Sequence, residues 1–569
     1  MDLISVIQLI LFVLIILLLV KPIGKYISRV LNPEGRTFLD FLFKPLEKFL
    51  YRICKIDPKA EYDWKQQLRA VLIFSLICFA GLFLILQIQS YLPFNPQKLP
   101  SPPADMNFNI TSSFVTTTNW QTYSGESTLS YFSQMIGLAV QNFLGAAAGI
   151  SVAATLVRGI SRHLGTKIGN FWVDIIRVSL YLLLPLSILL AVFYVSQGVP
   201  QNFKPYVAAK CLDSPNQMLV QGPIASQEAI KLLGSNGGGF TGVNSAHPYE
   251  NPNPLTNFIQ ILSILIIPAS MVYYFGREIK RKKHGWSIFF AMLIIFIVSV
   301  IVSSFFETKG NTLFSKSKQV EQSINMEGKE QRFGIFGSTL YTATTTAVSC
   351  GAVNSSLDSY TPIGGLIPML NIQFGEIIFG GVGSGIYNLI FYVLITIFIS
   401  GLIVGRTPEY IHNKIEIFEI KICVFALLIF YSVILGSTCL AIVTHSGLLG
   451  IFNKGPHGFS EILYAFSSCM GNNGSGFAGL KVNSWYNYSL GIAMLIGRFG
   501  IISLVIALAG SLVKKRKHPE SEKSFPVQGI TFTFLLIFII ILLGIMTFAP
   551  IVVFGPILEE FYMHNLHFF

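Results

Sequence analysis

Charge is what this sequence lacks most. Only 12% of its 569 residues are Asp, Glu, Lys or Arg, about half the share in a water-soluble protein. An exterior so poor in charge excludes a soluble domain and requires lipid over most of the surface. Several chemistries lack their signatures as well. There is no G-x-x-x-x-G-K-[ST] loop and no D-K-T-G-T phosphorylation site. The cytoplasmic loops inferred below are too short to fold a nucleotide domain, so the chain has no means of using ATP alone. No H-E-x-x-H pattern occurs, and seven cysteines, an odd number, make no disulfide framework. Cys350 has no second Cys or His at a zinc-like spacing and reads as a small residue. His247, His445 and His457 lie in or beside polar loops and read as solvated or locally bonded.

What the sequence has is long apolar runs. Leu3 to Val20 carries no charge, and Leu535 to Phe554 is another such run. Roughly 20 apolar residues cross the hydrocarbon layer. Ten spans are expected, near 3–20, 70–91, 133–155, 174–197, 256–275, 286–305, 384–404, 420–443, 487–512 and 529–554. Lys and Arg collect on the cytoplasmic side of a membrane protein. Segment 21–69 holds eleven of them, whereas 92–132 holds only Lys98. Residues 156–173 hold Arg158, Arg162 and Lys167, and the longer segment 198–255 holds Lys204, Lys210 and Lys231. The linker 276–285 gathers Arg277, Lys280, Arg281, Lys282 and Lys283, and 513–528 gathers Lys514, Lys515, Arg516, Lys517 and Lys523. Two loops follow the alternation weakly: 405–419 carries Arg406 and Lys414, and the long outer loop 306–383 carries five basic residues, Lys316, Lys318 and Lys329 among them. The pattern places both termini outside and accounts for the net charge of +12 at the inner leaflet, leaving no case for nucleic-acid binding. The first span has no basic residue before it and no A-x-A site after it, and reads as a permanent membrane helix.

One phrase appears twice. Residues 234–240 read GSNGGGF and residues 471–477 read GNNGSGF, 237 positions later. Half that interval, about 118, serves as a trial repeat period. It leads from Gly237 back to Asn119 in FVTTTNWQ, and 117 residues on from Gly234 lies Gly351 in TAVSCGAVNSS. Each point is preceded by a short, semi-polar, helix-compatible segment: DMNFNITSSF, ASQEAIKLL, FGSTLYTATTTAV and FSEILYAFSS. Ser226 with Glu228, and Ser460 with Glu461, are placed as capping groups at two helix starts. The unit is span, half-helix, glycine-containing segment, span. It occurs four times, with one further span at each end.

A half-helix ending inside the membrane leaves carbonyls unpaired and carries partial negative charge at its C-terminus. Irregular backbone at that depth must be buried in protein or line a watery cavity. Four such segments around one axis present a ring of oxygens that can replace a cation's hydration shell. The expected walls are Thr117, Thr118 and Asn119; Asn236, Gly237 and Gly238; Cys350, Gly351 and Ala352; and Asn473, Gly474 and Ser475. Only neutral oxygens are offered, which suits K⁺ better than a divalent ion; discrimination against Na⁺ depends on geometry.

The strings TNWQTYSGESTLSY (118–131), GGGFTGVNSAHPYENP (237–252), SCGAVNSS (349–356), FGEIIFGGVGSGIY (374–387) and NNGSGFAGL (472–480) closely resemble KdpA, the family of potassium-binding subunits of bacterial Kdp P-type ATPases. The resemblance covers essentially the whole chain. It implies an all-α membrane protein of the superfamily of potassium transporters, with four pseudo-symmetric repeats, in the bacterial cytoplasmic membrane. It implies K⁺ as transported ion and a non-hydrolysing role beside an ATPase subunit (KdpB), a periplasm-facing subunit (KdpC) and a small single-span peptide (KdpF). The first copy departs from the pattern, since TTTNW contains no glycine. The expected division is 1–60, first span and linker; 61–170, 171–285, 286–412 and 413–517, pore repeats; and 518–569, last span. Two alternatives stand beside this reading: a Trk- or Ktr-type uniporter and a membrane-embedded enzyme, the latter without any converging catalytic set.

Two charges stand in apolar surroundings, Glu376 in FGEIIFGG and Arg498 in IGRFG. They either gate the ion path below the filter or form a structural ion pair. Gly375, Gly380, Gly381, Gly383 and Gly385 predict a break in the seventh span there, forming a cover beneath the pore.

Overall fold

The computed structural model describes all residues except 1, 212–216, 311–323, 407, 478–479, 482, 517–524 and 565–569. Lys316, Lys318, Lys517 and Lys523 of the loop charges, and Ala478 and Gly479 of the last string, lie outside the described residues. Among the described residues ten helices are long and apolar enough to cross a membrane, as expected.

In chain order the main helices are α1 (Leu3–Val30), α2 (Asp40–Ile53), α3 (Trp64–Gln87), α4 (Ala104–Val115), α5 (Ser133–Ser161), α6 (Phe171–Ser196), α7 (Ile224–Leu233) and α8 (Pro254–Glu278). They continue as α9 (Lys282–Lys309), α10 (Gly334–Ala347), α11 (Pro362–Gln373), α12 (Ser384–Val404), α13 (Ile417–Val443), α14 (Gly455–Met470), α15 (Ser484–Leu512) and α16 (Ile530–His564). The short helices α4, α7, α10 and α14 each lie between two spans, where the four semi-polar segments had been read. Two-stranded ribbons, Val207–Ala209 with Gln217–Leu219 and Glu409–Tyr410 with Asn413–Lys414, are the only paired strands among the described residues.

Local chemistry sets the helix starts. Asp63 caps α3 and Gln66 bonds back to it; Asn253 and Thr256 make the same reciprocal pair at α8, helped by Pro254 in the first turn. Burial separates the inner from the outer spans. α5 and α8 are 83% buried, so their apolar residues face protein all round, whereas α1 is 22% buried. On α1 the stripe Leu9, Phe12, Ile16, Val20, Gly24 and Ile27 packs inward at helical spacing. A Cβ on Gly24 would lie 2.8 Å from the Ser270 carbonyl oxygen, so glycine is what lets α1 approach α8 there.

Two expectations about helix starts fail. Ser226 and Ser460 sit inside their helices and donate to the Pro223 and Pro456 carbonyls. The helices begin earlier: Pro223 is the residue just before α7, and Pro456 stands in the first turn of α14, where a proline has no N–H left to satisfy. The Ser226 N–H is met by the Gln201 side chain, 2.9 Å away. Glu461 accepts from the Phe452 and Asn453 N–H groups of the preceding loop, and Glu228 pairs with Lys231.

Candidate functional site

All four short helices end in one way. A residue in the left-handed region (Thr117, Ser235, Ser349 or Asn472) follows the last turn, with φ between 43° and 61°. The next residue then sends its N–H back five positions: Thr118 to Ser113 (2.8 Å), Asn236 to Lys231 (2.8 Å), Cys350 to Thr345 (2.9 Å) and Asn473 to Ser468 (2.8 Å). This is a Schellman termination, and it turns the chain sharply off each helix. Its recurrence sets an alignment that sequence spacing alone did not. Asn119, Gly237, Gly351 and Gly474 are equivalent, so Gly351 answers to Gly237, whereas Gly234 answers to Gly471.

The segments leaving the helices form a closed ring. Asn119 Nδ2 donates to the Gly237 carbonyl at 2.8 Å, joining the first segment to the second. Gly351 N–H donates to the Asn236 carbonyl at 3.3 Å, joining second to third. Ser349 Oγ donates to the Gly471 carbonyl at 3.0 Å and Asn473 Nδ2 to the Thr345 carbonyl at 3.1 Å, joining third to fourth. Asn472 Nδ2 donates to Thr118 Oγ1 at 2.9 Å and closes the circle. All twelve expected wall residues therefore lie on four mutually adjacent segments.

The ring is buried and rich in idle acceptors. Thr118, Asn119, Asn236, Cys350 and Asn473 are at most 1% exposed. Yet among the described residues no donor is directed to the carbonyl oxygens of Thr118, Asn119, Gly238, Gly351, Asn473 or Gly474. Buried carbonyls are almost always paired, and leaving one unmet costs about 1–3 kcal/mol. A dehydrated cation satisfies several at once.

The alignment shifts the first wall by one residue. Thr117 occupies the helix-ending position of Ser235, Ser349 and Asn472, and Trp120 matches Gly238, Ala352 and Ser475. It also explains the absent glycine. Gly237 and Gly474 have φ of 83° and 97°, and Asn119, at 54°, takes the same left-handed region that Asn tolerates best after glycine. Gly351 has another reason: a Cβ there would sit 2.9 Å from the Asn473 oxygen.

Against the helix ends lies the segment 374–383, between α11 and α12, so the irregular stretch precedes the seventh span and α12 itself runs unbroken from Ser384 to Val404, a correction to the predicted break within it. Gly375, Glu376, Phe379, Gly380 and Gly383 all have positive φ, which holds it out of helix. Val382 N–H donates to Ser235 Oγ (2.8 Å) and Gly380 N–H to the Ala347 carbonyl (3.3 Å). Gly383 abuts Gly149 of α5, and Glu376 Oε1 lies 3.6 Å from where a Cβ on Gly471 would stand. The segment thus touches all four copies. Glu376 and Arg498 form no direct ion pair among the described residues. Glu376 Oε1 is buried and has no hydrogen-bond partner. Arg498 donates to Tyr387 Oη (3.5 Å) and the Gly145 carbonyl (3.3 Å).

Other residues at the site were invisible to spacing. Lys231, counted above as a loop charge, is fully buried and lies 2.6 Å from both Glu228 and Glu250. Its own carbonyl accepts the N–H groups of Asn236 and Gly237, so the triad braces the second wall from behind. Lys329 is likewise buried, 2.7 Å from Glu307, behind the third. E-x-x-K in ASQEAIKLL was the available signal for the first of these. His247 and His445 behave as expected: the former bonds locally to Tyr249 N–H and the latter is exposed. His457 does not. Its two ring nitrogens lie 2.8 Å from Asp358 and from Glu559. Burial opposes its charge, but the two carboxylates prevail and raise its pKa to about 10. Glu461 stands within 4.8 Å of this group.

The family model for the potassium-transporting ATPase A subunit, KdpA, matches residues 10–561. A potassium-transporting ATPase potassium-binding subunit of Serratia proteamaculans is 48% identical over 550 residues, covering 96% of this chain and 97% of its own. The subunit of the same name in Photorhabdus laumondii is 49% identical over 554 residues, again with 96% and 97% covered. Among solved structures, the potassium transporter TrkH of Vibrio parahaemolyticus superposes with a TM-score of 0.51 at 14% identity, over 86% of this chain and 97% of that one. The fold is therefore shared with that transporter, and the chain belongs to the KdpA family of potassium-transporting ATPase A subunits.

Proposed function

We propose that the ring selects K⁺ from the outer side and that the chain delivers it to a partner ATP-hydrolysing subunit, without itself hydrolysing nucleotide. The observation that carries the reading is the set of six donor-free carbonyls on four adjacent buried segments. Each adjoins a helix C-terminus, whose partial negative charge adds to the attraction. Neutral oxygens in place of carboxylates favour a weakly hydrated monovalent ion. The filter residues are Thr118, Asn119, Asn236, Gly237, Gly238, Cys350, Gly351, Ala352, Asn473, Gly474 and Ser475, with Trp120 in the place first given to Thr117. The units 61–170, 171–285, 286–412 and 413–517 are the four pore repeats, and both termini lie outside, as the basic loops require. The names of the relatives supply the ion and the ATPase. The catalytic (KdpB), periplasm-facing (KdpC) and single-span (KdpF) partners follow from the family resemblance.

Segment 374–383 is the gate. The charge of Arg498 repels a cation leaving the filter, and Glu376, whose Oε1 accepts no hydrogen bond, offers it an oxygen on the way to the partner.

Rubidium uptake by cells lacking other potassium uptake systems tests both parts. Uptake is expected to require ATP and the partner subunits, and Gly237→Asp abolishes it. Uptake without the partners would favour a free-standing uniporter, and selective uptake by Gly237→Asp would refute the filter. Arg498→Ala is expected to uncouple flux from ATP use; unchanged transport and coupling would remove the gate.

A further inference from the structure

A furrow runs along α9 and α16, and its two ends differ in chemistry. At one end is a cavity of about 610 Å³ bounded by Lys283, Trp286, Gln528, Ile530 and Phe534. Past Ile294, which borders both, a second cavity of about 380 Å³ opens between α9, α11 and α16, lined by Val298, Leu370, Phe374, Ile541 and Gly544. The polar side chains on this second cavity already have partners. Ser299 Oγ donates to Asn371 Oδ1 at 2.9 Å, and Asn371 Nδ2 donates to Thr346 Oγ1 at 3.1 Å. Its occupant is therefore hydrocarbon.

One positive charge, Lys283, lines the first cavity, and two more lysines lie within three residues of it along the chain. Lys280, Lys282 and Lys283 are exposed, and among the described residues none of them pairs with a carboxylate. Trp286 stands one turn further on, the ring type favoured at the headgroup level. Lys283 to Val298 is fifteen residues, or about 22 Å of helix, which exceeds the ~15 Å of one leaflet's hydrocarbon. The furrow thus takes an acyl chain along its full length. A helix, about 10 Å across, does not fit between α11 and α16. There Gly544 meets Phe374 so closely that a Cβ would stand 2.6 Å from the ring.

We propose that this furrow seats one anionic phospholipid, its headgroup at Lys280, Lys282 and Lys283 and one acyl chain in the cavity between α9, α11 and α16. The lysines supply charge complementarity, and the apolar cavity supplies the fit for the chain.

Native mass spectrometry of the full chain in mild detergent, with equal phosphatidylglycerol and phosphatidylethanolamine added, tests this. One phosphatidylglycerol is expected to be retained in preference. The double variant Lys282→Gln/Lys283→Gln should lower its retention about 25-fold, roughly fivefold for each charge near the surface. Val298→Trp, at a position 53% exposed and so tolerant of bulk, should fill the apolar cavity and abolish retention with the lysines intact. Ile541→Phe serves the same end if that variant does not accumulate. Equal retention of the two lipids, or undiminished retention by either class of variant, overturns the proposal. So does a helix of a partner subunit, found by cross-linking at Val298 in the assembled complex, in place of lipid.

Discussion

The Nδ2 of Asn119 donates to the carbonyl oxygen of Gly237 at 2.8 Å, and through this bond the one wall without glycine is fastened to its neighbour. The same side chain contacts Asn142 Oδ1 at 2.8 Å, so it is anchored to α5 as well as to the ring. Asn119→Ala should keep the fold and loosen the ring. Of the two buried hydrogen bonds lost, only the one to Gly237 joins two walls; at about 1 kcal/mol, its loss raises the half-saturating rubidium concentration about fivefold. An unchanged value would show that this bond does not hold the filter.

Gly474→Ala should be far more damaging. The added Cβ would lie 1.7 Å from the Thr118 carbonyl oxygen, and the residue has φ of 97°. Overpacking of about 1–3 kcal/mol or more predicts at least about a fivefold loss of uptake at unchanged membrane level. Gly81→Ala, with nothing within 4 Å of the new atom, is the matched control. Equal uptake by the two variants would contradict the tight ring.

Lys231→Met leaves Glu228 and Glu250 buried without their cation. Breaking a buried ion pair from one side costs about 3–5 kcal/mol, so the variant should unfold at lower temperature in detergent. Adding Glu228→Gln and Glu250→Gln removes the stranded charges and should recover most of the loss. Failure of that rescue would show that the lysine acts by packing alone.

His457 ties the start of α14 to Asp358 and to Glu559 of the last helix. Its folded pKa of about 10 lies above the ordinary 6.5. The charge-dependent stabilisation is therefore complete below about pH 6.5 and fades as pH rises toward 10. The melting-temperature difference between wild type and His457→Gln should narrow across that window. A difference independent of pH would mean that the clamp does not depend on the imidazolium.

The spans were legible because an apolar run of twenty residues has few other uses. The four short helices were legible because semi-polar segments precede a recurring glycine phrase. Asn119 was paired correctly with Gly237 by interval alone. The register of its neighbours was not, since Thr117 performs a helix-ending role that glycine more often takes, and no letter in TTTNW marks it. Ser226 and Ser460 misled for a related reason. They are typical capping residues, but the prolines just upstream start the helices first. Lys231 and His457 look like loop charges because burial depends on which distant segments close over them. The partners Glu250 and Glu559 are 19 and 102 residues away.

Because the ring is made from one chain, its walls need not be alike. In an assembly of identical subunits every substitution would strike all sides together, and a tryptophan packed into an apolar cluster, as Trp120 is here, would need that cluster repeated behind every wall. Here Trp120, Gly238, Ala352 and Ser475 share one level while differing in size and polarity. Evolution can therefore adjust a single side of the ring without altering the other three.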